Sequence, residues 1–159
     1  MSIKKSLTPA LVALVTFISA FVMFGFEAHA ATVNASSVVE IQQAINNSTG
    51  ATEIVLTGDM DLSTPINVPA GKDITLKGGV TITKKNTGLA VKIAEGGSLT
   101  WKEVKLDGNG LGTNYSSAII DNAGKFTMDS GEIKNVNTNQ GFIGVVKVRG
   151  ANASFTMNG

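Results

Sequence analysis

Four triplets of this sequence share the order large apolar residue, threonine, large apolar residue: Ile74-Thr75-Leu76, Leu99-Thr100-Trp101, Phe126-Thr127-Met128 and Phe155-Thr156-Met157. Ile54-Val55-Leu56 is a weaker first copy. Successive side chains of a strand point to opposite faces, so each triplet predicts a strand with two core residues and one outward residue. The third residues of successive copies are 20 to 29 positions apart, which indicates an internal repeat.

Two more short strands are predicted after each of the first four copies. The second strands are Met60-Asp61-Leu62, Val80-Thr81-Ile82, Val104-Lys105-Leu106 and Glu132-Ile133-Lys134. The third strands are Ile66-Asn67-Val68, Val91-Lys92-Ile93, Ala118-Ile119-Ile120 and Val146-Lys147-Val148. Three short strands cannot bury a core alone, but stacked repeats can. We therefore predict an all-β fold, a right-handed parallel β-helix with three strands per rung and four to five rungs.

The rival fold is an antiparallel sandwich built from hairpins. Such hairpins favour two-residue turns such as Asn-Gly between matched strands. The pairs Asn109-Gly110 and Asn158-Gly159 occur, but neither joins two matched strands. The parallel β-helix therefore remains the better interpretation.

One helix is predicted, over residues 37–46 within an N-terminal segment at 31–53. Ser37 and Glu40 form a capping box, in which the serine hydroxyl accepts from the Glu40 N–H and the carboxylate bonds back to the start of the helix. Val38, Ile41 and Ile45 form one apolar face. We expect this helix to close the N-terminal end of a β-helix that occupies residues 54–159.

Residues 1–30 have the pattern of an export signal. Lys4 and Lys5 precede an apolar run over residues 10–26, and Ala28-His29-Ala30 follows with the small residues of a signal-peptidase site. Cleavage is predicted between Ala30 and Ala31, giving a secreted or cell-surface protein. The alternative is a retained anchor, because the run is at the lower limit of a membrane span.

Composition excludes several classes of function. Beyond residue 30 the chain carries 11 basic and 11 acidic side chains, and Arg149 is its one arginine. This balance does not favour nucleic-acid binding, which needs clustered cations. The sequence has no cysteine, and its one histidine is His29. Thiol chemistry, histidine triads and zinc centres are therefore not expected in the mature chain, and neither a cofactor nor a metal is predicted.

A binding surface is predicted where the connections between second and third strands vary in length. These connections are Thr83–Ala90, Asp107–Ser117 and Asn135–Phe142. Variable loops on one side of a rigid solenoid commonly carry ligand sites, and amides with an exposed aromatic ring suit sugars. The alternative is that these residues only form solvated turns. The candidates are Lys84, Lys85, Asn86, Asn109, Asn114, Tyr115, Asn135, Asn137, Asn139 and Gln140.

Catalysis is not expected. The acids that we predict to be exposed, Asp107, Asp121, Asp129 and Glu132, form no adjacent pair of the kind that glycosidases use. Residues 107–112 begin like a calcium loop, but Leu111 and Ala118 stand where ligands five and twelve would be needed. A turn is therefore predicted there.

The sequence resembles a known superfamily. The signal peptide, capped helix, Glu53–Asp59 segment and repeated triplets resemble secreted right-handed β-helix proteins of the pectate-lyase-like superfamily, over about residues 37–159. The copies Phe126–Ile133 and Phe155–Gly159 resemble repeats of bacterial surface proteins and adhesins. The resemblance implies a non-enzymatic adhesion-type module that binds a glycan or a cell surface. The alternative is a polysaccharide lyase or glycoside hydrolase whose catalytic rungs are missing or unrecognised.

The last copy of the repeat is short. It begins at Phe155 and stops at Gly159, before a second strand. We expect a β-helix truncated at its C-terminal end, with further repeats in the parent protein. The alternatives are self-association through the open last rung and fraying of the last strand.

Overall fold

The computed structural model describes residues 30–111, 118–137 and 144–159, which form a parallel β-solenoid of about five turns with one short helix. Every strand pairs in parallel with its counterpart in the next rung. The elements are β1 Ala31–Ala35, α1 Val38–Asn47, β2 Ala51–Leu56, β3 Met60–Leu62, β4 Ile66–Val68, β5 Asp73–Lys77, β6 Thr81–Lys84, β7 Val91–Ile93, β8 Ser98–Lys102, β9 Val104–Asp107, β10 Ile120–Asn122, β11 Lys125–Met128, β12 Gly131–Lys134, β13 Val146–Val148 and β14 Ser154–Met157.

Three parallel sheets form the walls of the solenoid. Sheet A has six strands in the order β1-β2-β5-β8-β11-β14. Sheet B has the order β3-β6-β9-β12, and sheet C has the order β4-β7-β10-β13. The described residues thus give four complete rungs and the first strand of a fifth, as predicted. The strand β1, which the sequence pattern did not indicate, adds to sheet A before the first complete rung.

Sheet A has the predicted register from β5 to β14, but the prediction for the first copy is wrong by two residues: Ile54 pairs with Leu76 and not with Ile74. A shift of two residues keeps Ile54 inward, so burial does not oppose it. The first apolar residue of each triplet is aligned with the next, through Ile74, Leu99, Phe126 and Phe155. The threonines form an outward column, and Trp101 is fully buried. The Trp101 and Phe126 rings meet edge to face with centroids 5.2 Å apart, and Phe126 stacks on Phe155 at the same distance. Aromatic contacts therefore connect three rungs through the core.

The predicted register of sheet B is wrong at two places. Met60 pairs with Ile82 and not with Val80, so Leu62 lies beside Lys84. Ile133 pairs with Leu106, one residue away from the predicted alignment. The physical reason is burial: the observed register turns Ile133 inward beside Leu106, where it packs against the core, and it places the long side chain of Lys84 at an interior position.

The third strand of the third rung is also displaced. β10 begins at Ile120, which pairs with Val91, whereas the sequence predicted a strand over residues 118–120. Ala118 and Ile119 are buried in the connection that precedes it. The shift turns Asn122 inward, where its amide donates to the Ser154 carbonyl at 2.7 Å. The amide oxygen of Asn122 accepts from the Gly124 N–H at 3.0 Å, so this buried polar group is satisfied.

The helix lies within one residue of its predicted bounds. Ser37 has extended backbone angles and its hydroxyl accepts from the Glu40 N–H at 3.3 Å. The Glu40 carboxylate reaches back to the start of the helix as predicted, where it accepts from the Ser36 N–H at 2.6 Å and from the Ser36 hydroxyl. These bonds hold the pKa of Glu40 below its ordinary value.

The helix covers the N-terminal end of the solenoid interior. Its buried face consists of Val38, Ile41, Ala44 and Ile45. The Gln42 side chain bonds β4 like a neighbouring strand: its Nε2 donates to the Asn67 carbonyl at 2.9 Å and its Oε1 accepts from the Asn67 N–H at 2.8 Å. A side-chain amide thus replaces the missing strand at this edge of sheet C.

Candidate functional site

An open groove lies where sheet B turns toward sheet C. Its volume is about 430 Å³, and we call it the B–C groove. The groove lies beside the connections that follow β9 and β12, because strands of successive rungs end at the same corner. It is lined by Asp107, Asn109, Gly110, Asn135, Val136 and Asn137.

Asp107 lies at the centre of the hydrogen bonds in this groove. Its carboxylate accepts from the Asn109 N–H at 2.8 Å, and both of its oxygens accept from the Asn135 amide at 3.1 Å. The Asn109 N–H and then the Asn135 amide hold the pKa of Asp107 below its ordinary value, and the positive charge of Lys134 contributes. Asp107 is therefore ionised and acts as an acceptor over a wide pH range.

Two asparagines shape the walls of the groove through left-handed backbone. Asn109 has a φ of 54° and Asn135 a φ of 52°, which asparagine tolerates better than most residues. Gly108 permits close stacking of the two connections, since a Cβ there would lie 2.6 Å from the Asn135 carbonyl oxygen. The sequence Asp107-Gly108-Asn109 is thus a local turn whose side chains also reach neighbouring rungs, Asp107 the next rung and Asn109 the preceding one.

The amide groups of the candidate asparagines also bond one rung to the one before it. Asn86 donates from Nδ2 to the Ser63 carbonyl at 3.0 Å. Asn109 donates from Nδ2 to the Lys84 carbonyl at 3.3 Å. These donors satisfy carbonyls of the preceding rung, which gives the residues a structural role beside any binding role.

The two candidate lysines are not part of the groove. Lys84 was predicted to lie in a loop, but it is the last residue of β6 and is fully buried. Its Nζ donates to the Asn86 carbonyl, and burial lowers its pKa. Lys85 is exposed, with its Nζ 3.4 Å from a carboxylate oxygen of Asp61 on sheet B.

The structure thus brings Asn109, Asn135 and Asn137 together in the groove and places Lys84, Lys85 and Asn86 one rung earlier, outside its lining. Sequence reasoning did not select Asp107 as a binding residue, although the Asp-Gly-Asn turn and its place after an apolar strand could have indicated it. Asn114, Tyr115, Asn139 and Gln140 lie outside the described residues. The same is true of the predicted signal peptide up to residue 29, while Ala30 and Ala31 directly precede and begin β1.

The acids that we weighed as catalytic groups lie in different environments. Asp121 accepts from Arg149 Nε at 2.7 Å and from its Nη2 at 2.9 Å. Asp129 accepts from the Asn158 amide at 2.8 Å. Within residues 30–111, 118–137 and 144–159, no three histidine, cysteine or acidic residues are grouped as a metal site would require.

No family model, curated protein or solved structure matches the chain. Over the residues that the structure describes, no helix has the length and apolar character that crossing a membrane requires.

Proposed function

We propose that this chain is an exported, non-enzymatic β-solenoid of the pectate-lyase-like type that binds a glycan through the B–C groove, as part of a bacterial surface or secreted adhesion protein. The observation that carries the proposal is the groove itself. It combines an ionised acceptor, Asp107, with the exposed side chain of Asn137 on neighbouring rungs of one rigid scaffold.

The groove chemistry suits a neutral sugar. Sugar hydroxyls can donate to Asp107 and can exchange hydrogen bonds with the Asn137 amide, while Val136 offers an apolar contact to the ring. Among the described residues that line the groove, the one charged side chain is the Asp107 carboxylate, and the positive charge of Lys134 acts from outside this lining, so an anionic polymer finds no positively charged partner in the groove itself. Uncharged glycans are therefore favoured over uronate polymers.

Binding can be tested with the purified chain on a panel of neutral and acidic polysaccharides by titration calorimetry. Asn137→Ala should weaken binding of the best neutral ligand by about tenfold, the value of one lost polar contact near 1.4 kcal/mol. The matched control is Asn152→Ala, an exposed asparagine in the turn before β14, at a different corner. Equal affinity of both variants and of the wild type would exclude the groove as the site.

The absence of catalysis has its own assay. Incubation with the polysaccharides should release neither reducing ends nor unsaturated uronates. Turnover that disappears in Asp107→Asn would support the alternative, a polysaccharide lyase or glycoside hydrolase.

Export is tested by the intact mass of the secreted protein. A secreted chain that begins at Ala31 lacks residues 1–30, whereas full-length chain in the membrane fraction would contradict cleavage.

A further inference from the structure

The exposed large apolar side chains of the described residues lie only at the two ends of the solenoid. At the N-terminal end, Val33 of β1 is 40% exposed and Val39 of α1 is 63% exposed. At the C-terminal end, Val148 of β13 is 44% exposed and Met157 of β14 is 64% exposed. The long sides of the solenoid, formed by the sheet faces, have no such side chain in the described ranges. These side chains therefore lie at the two ends of the solenoid, where a further rung would stack.

The two ends also carry the two edges of one sheet. β1 pairs with β2 along one side only, and β14 pairs with β11 along one side only, as far as residues 30–111, 118–137 and 144–159 show. Both strands belong to sheet A and run in the same direction. The backbone groups along these edges are ready to pair with a further parallel strand.

We propose that the partner is a second copy of this chain, stacked head to tail, with β14 of one copy paired in parallel with β1 of the next. The register follows from the columns of sheet A, in which Ala31 lies at the position that Phe155 occupies five strands later. Met157 then lies beside Val33 of the second copy, and Thr156 lies beside its Thr32. Both copies keep their apolar residues inward, and the small side chain of Ala31 leaves room for Phe155.

The helix α1 also fits this contact between two stacked copies, which we call the junction. Sheet A has six strands while sheets B and C have four each, so sheets B and C each lack two strands where two copies meet. Two strand spacings of about 4.8 Å make a gap close to 10 Å. An α-helix with side chains is about 10–12 Å across. α1 of the second copy therefore has the right width for the space beneath β12 and β13 of the first, at the end where Val148 is exposed.

The junction is heterologous, since it joins two different surfaces. Such contacts leave a free end on every assembly and produce open linear stacks instead of closed dimers. The proposal does not depend on glycan binding, because none of its residues lines the B–C groove.

Cysteine crosslinking tests the register directly, because the sequence has no cysteine of its own. In the proposed junction the Cα atoms of Thr156 and of Thr32 in the second copy are about 5 Å apart, which a disulfide spans. A mixture of Thr32→Cys and Thr156→Cys chains should give covalent dimers on mild oxidation, at least tenfold faster than either variant alone. The double variant should give a ladder of higher oligomers. Equal crosslinking of one variant with itself would overturn the head-to-tail arrangement.

Sedimentation velocity tests association without crosslinks. The wild-type chain should show a weight-average mass that rises with concentration, and Met157→Lys or Val33→Lys should shift this rise to at least tenfold higher concentration. Thr100→Lys places the same charge on the middle of sheet A and should leave the rise unchanged. A wild-type chain that stays monomeric at all concentrations would overturn the proposal.

Discussion

At the scale of the residue, Lys84 is the least expected side chain of the core. It occupies the interior position beside Leu62, where neighbouring rungs of such a solenoid place apolar residues. Burial disfavours its charged form and lowers its pKa. One hydrogen bond to a carbonyl compensates only part of the cost of removing an ammonium group from water.

Lys84→Met should therefore raise the free energy of unfolding at pH 7 by about 1 kcal/mol, because an apolar chain of similar length replaces a buried charge. A lysine whose pKa is lowered on folding costs stability below its folded pKa and costs nothing above its unfolded value, about 10.4. The advantage of the variant should shrink from pH 7 to pH 10. Urea denaturation at both pH values measures it, with exposed Lys85→Met as the control. A variant less stable than wild type at pH 7 would contradict this account.

Trp101 shows the opposite case of an apolar residue at its predicted place. Trp101→Ala should lower the free energy of unfolding by about 3–5 kcal/mol, since it opens a cavity beneath Phe126. Lys102→Ala changes the next residue, which is exposed, and should cost less than about 0.5 kcal/mol. Denaturation followed by circular dichroism compares them; similar midpoints would mean that Trp101 is not in the core.

At the scale of the element, the side chain of Gln42 makes both hydrogen bonds that join α1 to β4 in the described part of the chain. Gln42→Ala removes both hydrogen bonds to Asn67 and should cost about 1–2 kcal/mol. Gln43→Ala is the matched control on the same helix, at a position that faces the surface groove by β1. Hydrogen exchange at the Asn67 N–H should speed up in the first variant only. Unchanged exchange there would show that the amide pair does not hold the edge.

β10 and the segment after β13 are joined by an ion pair with two hydrogen bonds, and this pair should make stability depend on pH. The Arg149 bonds hold the pKa of Asp121 below its ordinary value. A carboxylate with a lowered folded pKa stabilises the fold above its unfolded pKa, about 3.9, and this contribution is lost as pH falls through the folded value.

Asp121→Asn should cost about 1 kcal/mol at pH 7 and progressively less below about pH 4. Guanidinium would screen the pair, so urea denaturation at pH 7 and pH 3 is the suitable measurement. The control is Asp73→Asn, an exposed acid at the start of β5. A constant difference between Asp121→Asn and wild type at both pH values would argue against the ion pair.

Elements also show what the sequence could and could not predict. The four threonine triplets predicted the register of β5, β8, β11 and β14 because each has two large apolar residues around one threonine, so only one parity buries them. The first copy, Ile54-Val55-Leu56, lies two residues away from its predicted alignment, which the same parity allows. In sheet C, Ile119-Ile120 are adjacent apolar residues, and either could begin the inward pattern. In the observed register of β10 the Asn122 side chain points inward and donates to the Ser154 carbonyl, which lies 32 positions later in the sequence. The strand β1 was missed because Ala31–Ala35 contains only one large apolar residue, Val33.

The candidate site was predictable only in part for a similar reason. The order of strands and loops placed Asn109, Asn135 and Asn137 at one corner. Lysine is rarely buried, so the hydrophobic pattern predicts that the strand ends at Ile82 and that Lys84 lies in the loop, whereas β6 continues to Lys84. The contact between Asp107 and Asn135 depends on the exact stacking of two rungs, which no local pattern contains.

At the scale of the whole molecule, stability should fall from the middle rungs toward the C-terminal end. The core residues of β5 and β8 are fully buried and both strands have neighbours on each side. By contrast, the inward-facing Phe155 of β14 is only partly buried, and Met157 is largely exposed. In a solenoid each rung is stabilised mainly by its neighbours.

Amide hydrogen exchange at low protein concentration should therefore be slowest in β5 and β8 and fastest in β14. Raising the concentration should protect β1 and β14 selectively if copies stack. Uniform protection of all sheet A strands in the dilute chain would contradict the nearest-neighbour account.

Because every strand pairs with its counterpart one rung later, the length of the solenoid is proportional to its number of repeats. The six strands of sheet A, spaced about 4.8 Å apart, span about 24 Å. Gaining or losing one repeat would change this length by one fixed step, and the sheet faces would keep their chemistry. The length of this scaffold can therefore change in evolution by gain or loss of whole repeats, while the core of each rung stays the same.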